Sequence, residues 1–172
     1  MKKILFNDKY LLTQAVLDGT KTMTRRLLKE GTPLGNWEET VKHLPYKVGE
    51  VVAIAQSYYT IGKTQYDKFG NGVPGNSNKM FTRADLMPHH IKITDVKIER
   101  LQSISDDDIL REGVWQYPKL RAYHVSKATG FAPDVAFLTA REAFAYLIDR
   151  ISGKGTWESN PWVAAYSFKL VD

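Results

Sequence analysis

The sequence contains no cysteine, which excludes disulfide scaffolds, thiol nucleophiles and thiolate-bound metals together and suits a reducing compartment. Long apolar runs are also missing: nothing approaches the roughly 18 residues of a membrane span. The opening Met1-Lys2-Lys3-Ile4-Leu5-Phe6-Asn7-Asp8 is basic like a secretion signal, but its apolar stretch ends after three residues, far short of an export signal. A cytoplasmic protein with no membrane partner is therefore expected. The four histidines, His43, His89, His90 and His124, lack the helical i, i+4 spacing and acidic neighbours of a zinc site. No carboxylate pair stands at the spacing of a metal-dependent nuclease, so neither a metal nor another cofactor is expected. There is no internal repeat, and no feature sets an oligomeric state.

What is present begins with enough apolar residues, 43% of 172, to bury one substantial core, and the expected organisation is one domain over residues 1–172. The net charge of +5 and pI near 9.3 favour an anionic partner, because phosphates reward lysine and arginine through counterion release.

Local patterns give the order of elements. Lys3 to Phe6 reads as a short strand, and Leu12, Ala15 and Val16 recur at helical spacing until Asp18-Gly19, where glycine stops the helix. Thr20-Lys21-Thr22-Met23-Thr24-Arg25-Arg26 then leaves as an extended stretch rich in β-branched residues. From Leu28 to Pro45 the glycines, prolines and charges describe a loop, with Trp37 as a packing lid or an exposed contact. Val51 to Ala55 reads as a strand, and Thr60 to Asn78 as a long polar surface loop inserted into the domain. Ile91 and Ile93 alternate with polar neighbours, and Val96 and Ile98 do so one register later, which predicts a bulge near Thr94-Asp95. Ser105 followed by Asp106-Asp107-Asp108 starts a short helix that should stop at Gly113. Glu112 then falls in its last turn, where an acid opposes the helix dipole. Thr139 and Glu142 form a capping box ahead of Phe144, Leu147, Ile148 and Ile151, one apolar face ending at Gly153. Trp162 to Val171 alternates as a half-buried strand would. Strands at both ends and in the middle, with helices between, indicate an α+β barrel or sheet.

Two phosphate-loop patterns fail on context. Gly70-Asn71-Gly72-Val73-Pro74-Gly75 fits G-x-G-x-x-G, but it follows no clear strand, opens no helix and contains proline. Gly19-Thr20-Lys21-Thr22 ends like a Walker loop, yet its first glycine would fall at Gln14. Arg25-Arg26 between Lys21 and Lys29 is a basic cluster that reads either as a phosphate grip or as a solvated face, and Trp37, Tyr58 and Tyr59 offer stacking surfaces.

Taken together, Gly19-Thr20-Lys21-Thr22-Met23-Thr24-Arg25-Arg26, Tyr46-Lys47-Val48-Gly49-Glu50 and Ile93-Thr94-Asp95-Val96-Lys97-Ile98-Glu99-Arg100-Leu101 resemble the ASCH domain family, especially its longer phage and prophage members. The acidic segment Ile104 to Gly113 and Trp157-Glu158-Ser159-Asn160-Pro161-Trp162-Val163 agree as well. The resemblance leaves out the loop from Thr60 to Asn78 and the stretch from Trp115 to Asp134. It implies a PUA-like β-barrel with flanking short helices, a fold associated with RNA or modified bases. It also implies a chemistry, amide hydrolysis of N4-acetylcytidine by a lysine, a threonine and a glutamate. Lys21, Thr24 and Glu112 occupy those positions, with Arg25, Arg26, Tyr58, Trp37 and His89 as candidates for holding RNA or a modified nucleoside. A lysine can take a threonine proton only if burial or neighbouring cations lower its pKa. The alternative is a module that binds RNA or single-stranded nucleic acid without chemistry. The chain departs from the longer members at Ala55-Gln56, where an arginine-glutamate pair is frequent, and at His89, where arginine is common.

Overall fold

In the computed structural model, residues 1–119, 121–125 and 136–171 are described. The chain runs β1 (Lys3–Ile4), α1 (Leu12–Leu17), β2 (Met23–Leu27), α2 (Trp37–His43), β3 (Val51–Ile54), β4 (His90–Arg100), α3 (Asp106–Arg111), β5 (Trp115–Gln116), β6 (Tyr123–His124), α4 (Ala140–Ser152), α5 (Thr156–Ser159) and β7 (Trp162–Leu170). The fold is α+β. Five strands form one sheet in the order β1-β3-β4-β7-β2, and β5 pairs with β6 apart from it. The pairs are antiparallel except β1 with β3, which is parallel. Among the described residues no helix is long and apolar enough to cross a membrane.

The long strands β4 and β7 carry the sheet, and their register shifts between Ile93 and Asp95, where the sequence changes its alternation. A bulge bends and twists a strand locally. The core gathers Ile4, Val52, Ile54, Ile91, Ile93, Tyr166 and Phe168 from the sheet with Phe144, Leu147 and Ile148 from α4. Fully burying such a side chain stabilises by about 1.5–3 kcal/mol. Thr139 caps α4 through the capping box, and Ser105 caps α3 by accepting from Asp108 N.

Three expectations change. β7 is buried on both faces from Val163 to Phe168, not half-buried, because it lies between β4 and β2 and Ser167 on the face away from Phe168 meets the Arg111 guanidinium at 3.1 Å. The segment Leu28 to Pro45 is not all loop: Asn36 caps α2 by accepting from Glu38 N and Glu39 N. The expected barrel does not close among the described residues: the sheet has free edges, since β1 and β2 do not pair with each other. Side chains fill the seam instead. Arg26 Nη2 donates to Leu5 O at 2.5 Å, and the Phe6 ring lies 5.7 Å from the Arg26 guanidinium and 5.8 Å from Lys21 Nζ.

Tyr166 makes one pH prediction. Its phenol packs edge-on against Tyr46, and burial pushes its pKa up to about 12 from 10.0. Between those values the unfolded chain releases a proton that the folded chain keeps, so stability falls as pH rises. The contribution is fully present below pH 10 and lost as pH approaches about 12, at most about 2–3 kcal/mol. Tyr46 is pushed up by burial as well, so comparison isolates the one residue: urea unfolding of Tyr166→Phe should lose less stability between pH 9.5 and 11.5 than the parent. Equal losses in the two proteins would refute the assignment.

Candidate functional site

The seam between the sheet edges holds the charged core of the molecule. Gly19, at φ +73°, ends α1 in a conformation that favours glycine. The chain beyond it is fixed by Lys21 N to Ala15 O at 2.8 Å and by Thr22 N to Arg111 O at 2.9 Å. Lys21 is thereby turned inward and is only 2% exposed. Its Nζ donates to Met23 O at 2.8 Å, Glu112 O at 2.6 Å and Glu112 Oε2 at 2.8 Å. Three oxygens satisfy all three ammonium donors.

Glu112 sits at the end of α3, and its burial explains an acid where the dipole disfavours one: its carboxylate takes up two cations. Oε2 receives Lys21, and Oε1 receives Arg25 Nη1 at 3.1 Å. Gly113 makes this approach possible. Its φ is +104°, and a Cβ there would stand 3.1 Å from Leu12 Cδ2 and 3.6 Å from Lys21 Cδ.

Arg25 is the hub of the arrangement. Besides Glu112, its guanidinium donates to Glu99 Oε1 from Nε at 3.1 Å and from Nη2 at 2.6 Å, and Nη2 meets Asp108 Oδ2 at 3.4 Å. Asp108 is held in turn by Arg111 Nη1 at 3.0 Å. Arg25 is thus held by three carboxylates. Its Nε and Nη2 together grip one Glu99 oxygen, a fork that arginine, and not lysine, provides.

Burial pushes the Lys21 ammonium below its ordinary pKa. The charge and hydrogen bond of Glu112 oppose that shift, while the nearby Arg26 and Arg25 cations reinforce it. Burial also lowers Arg26. Thr24 is buried, and among the described residues no hydrogen-bond partner holds its hydroxyl.

Lys21, Thr24, Arg25, Arg26 and Glu112 all line one cleft of about 530 Å³, within the size range of small-ligand sites. Leu5 to Asp8 form one wall, and Phe144, Leu147, Ile148 and Ile151 of α4 form an apolar one. Lys79 closes the rim, a residue that sequence spacing gave no reason to select. Its ammonium pairs with Asp8 Oδ2 at 2.9 Å and bonds to Phe6 O. Trp37, Tyr58 and His89 do not line the cleft, nor does Gln56. Trp37 is exposed on α2, His89 O accepts from Ile54 N, and Tyr58 O accepts from Lys63 N. A larger cavity, about 710 Å³ between α1, the end of α3 and β5, has Asp18 as the one charged residue among its lining. Its chemistry is correspondingly poorer.

Among the described residues no group of three or more histidine and carboxylate side chains is placed to hold a metal ion. Glu99, Asp108 and Glu112 converge on Arg25.

No family model matches the chain, and no curated protein matches it. Solved structures similar to it include a protein from Enterococcus faecalis V583 of family-model DUF984, 16% identical over 94% of this chain and 67% of that one, with a TM-score of 0.40. They also include an ASCH domain from Lactobacillus crispatus JV V101, 14% identical over 95% of this chain and 72% of that one, with a TM-score of 0.41.

Proposed function

We propose that this chain is a single ASCH-type domain with a PUA-like core, and that its cleft hydrolyses the acyl amide of an N4-acylated cytidine, free or within RNA. The observation that carries the reading is the meeting of three residues selected from sequence pattern in one cleft. Lys21 and Glu112, 91 positions apart, are joined by a 2.8 Å hydrogen bond, and Thr24 lines the same space.

The buried pair supplies an acid and a base together. One mobile proton lies between the Lys21 amine and the Glu112 carboxylate, and burial pushes the Lys21 ammonium below its ordinary pKa. With the proton on Glu112, Lys21 is a neutral amine and Glu112 a carboxylic acid. In the proposed reaction the Thr24 hydroxyl attacks the acyl carbon and its proton passes to Lys21. The C–N bond then breaks as Glu112 protonates the departing exocyclic amine of cytosine. Glu112, now a carboxylate, takes a proton from the water that attacks the threonine ester, and as the ester C–O bond breaks Lys21 returns its proton to the Thr24 oxygen, releasing the carboxylic acid and restoring Lys21, Thr24 and Glu112. The apolar α4 wall limits competing water, and Arg25 fixes the orientation of Glu112.

The test is to incubate the protein with N4-acetylcytidine and follow cytidine and acetate by chromatography. Turnover above a Thr24→Ala background supports the reading, and turnover equal to that background refutes it. The +5 net charge favours a second reading, a non-catalytic module for RNA or single-stranded nucleic acid. Binding that weakens with salt and no amide turnover is its signature.

A further inference from the structure

The polar loop read from the sequence is not featureless. Between 65 and 73 it makes a tight hairpin: Tyr66 bridges Gly72, Val73 N donates to Gln65 O at 3.0 Å, and Asp67 N donates to Asn71 O at 2.8 Å. The Asp67 carboxylate accepts from Phe69 N and Asn71 N at 2.8 and 2.9 Å. Asn76 clamps the base by pairing with both the N and the O of Gln65. Phe81 lies against the bare backbone of Gly75, where a Cβ would stand 2.8 Å from the ring.

This scaffold holds large apolar groups in solvent. Tyr59 is 75% exposed, Tyr66 64%, Phe69 76% and Phe81 68%. A core has no use for them there, and an ordered loop carrying several exposed rings marks a contact surface. The charge around them is positive: residues 58–83 carry Lys63, Lys68, Lys79 and Arg83 against Asp67 as the one acid. Lys79 and Arg83 are paired with Asp8 and Asp85. Lys63 and Lys68 have no carboxylate partner among the described residues, and Lys68 Nζ stands 4.9 Å from the Phe69 ring centre. Exposed rings interleaved with free cations suit bases and phosphates together, whereas an apolar protein partner would leave the cations uncompensated.

The loop also reaches the cleft. Lys3 Nζ donates to the carbonyls of Lys79, Met80 and Thr82 at 3.2, 2.7 and 2.5 Å, tying its end to β1, and Lys79 itself lines the cleft rim.

We infer that residues 58–83 form a stacking platform for single-stranded nucleic acid that delivers one nucleotide of a polymer to the cleft. The inference rests on the cleft reading for what happens to that nucleotide, but not for the platform itself. Stacking on an aromatic ring tolerates any base, and each ring lost weakens binding by roughly 5- to 100-fold.

The test uses the full chain and fluorescein-labelled 12-nucleotide single-stranded RNA, single-stranded DNA of the same sequence and an RNA duplex, read by anisotropy. The parent should bind both single strands better than the duplex, and binding should weaken with salt. Phe69→Ala and Tyr59→Ala should each weaken single-strand binding within that range without moving the melting temperature, because both side chains are about three-quarters exposed. Their turnover of free N4-acetylcytidine should match the parent, while turnover of the same base inside the oligonucleotide should fall. An RNA preference over DNA adds recognition of the 2′-hydroxyl and supports the platform. Absence of single-strand binding, duplex binding of equal strength, or variants that bind like the parent would overturn it. A protein-docking loop gives the first of these results. Oligonucleotide binding that the two variants lose, without turnover of any acetylated substrate, refutes the cleft reading and leaves the platform standing. Turnover of the free nucleoside without oligonucleotide binding does the reverse.

Discussion

Glu112→Ala is expected to destabilise the fold by about 3–5 kcal/mol, the usual cost of stripping one partner from a buried ion pair. That is a large part of the roughly 5–15 kcal/mol that holds a domain folded. Two cations lose by it. Lys21, 2% exposed, keeps Met23 O and the Glu112 carbonyl but no counter-charge. Arg25 keeps Glu99 and Asp108, so most of the penalty falls on Lys21. The pairwise nature of the effect is testable, because replacing both charges by apolar groups of similar volume removes the desolvation cost as well as the attraction. Lys21→Met/Glu112→Leu should therefore be more stable than Glu112→Ala alone, and the double-mutant cycle should show coupling of more than about 1 kcal/mol. Urea unfolding at pH 7 gives both quantities from midpoints at unchanged slope. If Glu112→Ala accumulates unfolded, Glu112→Gln keeps the shape and the measurement. A Glu112 variant within about 0.5 kcal/mol of the parent would contradict the buried pair.

The residues of that pair were legible in the sequence for different reasons. Gly19 announced the exit of α1, and the helix-to-strand junction placed Lys21 and Thr24 where the chain turns into the sheet. Glu112 stood out as an acid at the wrong end of a helix. Nothing local joined them, since a contact across 91 positions is set by how β2 and α3 dock, and only the family resemblance linked them beforehand. The double arginine read as either a phosphate grip or a solvated face, because the three acidic partners of Arg25 lie 74 to 87 positions away.

The fold was legible where local chemistry decides. The capping box of α4, the stop at Gly153 and the bulge near Asp95 all follow from neighbouring residues. α2 was missed because its apolar periodicity is weak and Thr40 is its one buried residue. The available signal was its capping: Asn36 before Glu38 and Glu39, with Lys42 and His43 in the last turn. That the sheet does not close into a barrel was out of reach of any local rule, since closure depends on whether two edge strands meet. β1 is two residues long, and the chain after it turns into a one-turn 3-10 helix at Asp8–Tyr10, which withdraws the backbone that β2 would need. The gap is the cleft, so the feature that departs from the expected fold is the one that makes room for a ligand.

Thr24→Ala is the substitution expected to have the largest effect on turnover, roughly a thousandfold or more in kcat, because removing a nucleophile ends the reaction that depends on it. Stability should change far less. The Thr24 hydroxyl has no hydrogen-bond partner among the described residues, so the truncation removes one methyl and a hydroxyl that makes no hydrogen bond there, about 1 kcal/mol. This contrast separates Thr24 from Glu112, where loss of activity comes with loss of fold. Thr24→Ser, which keeps a hydroxyl, should retain measurable turnover where alanine retains none. The pH profile gives an independent reading. The reaction uses the one proton that Lys21 and Glu112 hold between them, so kcat/KM should fall with pH along an alkaline limb where that proton is lost, and burial of Lys21, opposed by Glu112, sets that limb below the ordinary lysine value of 10.5. Arg26→Met removes a cation that pushes Lys21 down, and should move that limb toward higher pH. Thr24→Ala turning over at the parent rate would remove the nucleophile from the mechanism. A limb unmoved in Arg26→Met would remove Lys21 as the base.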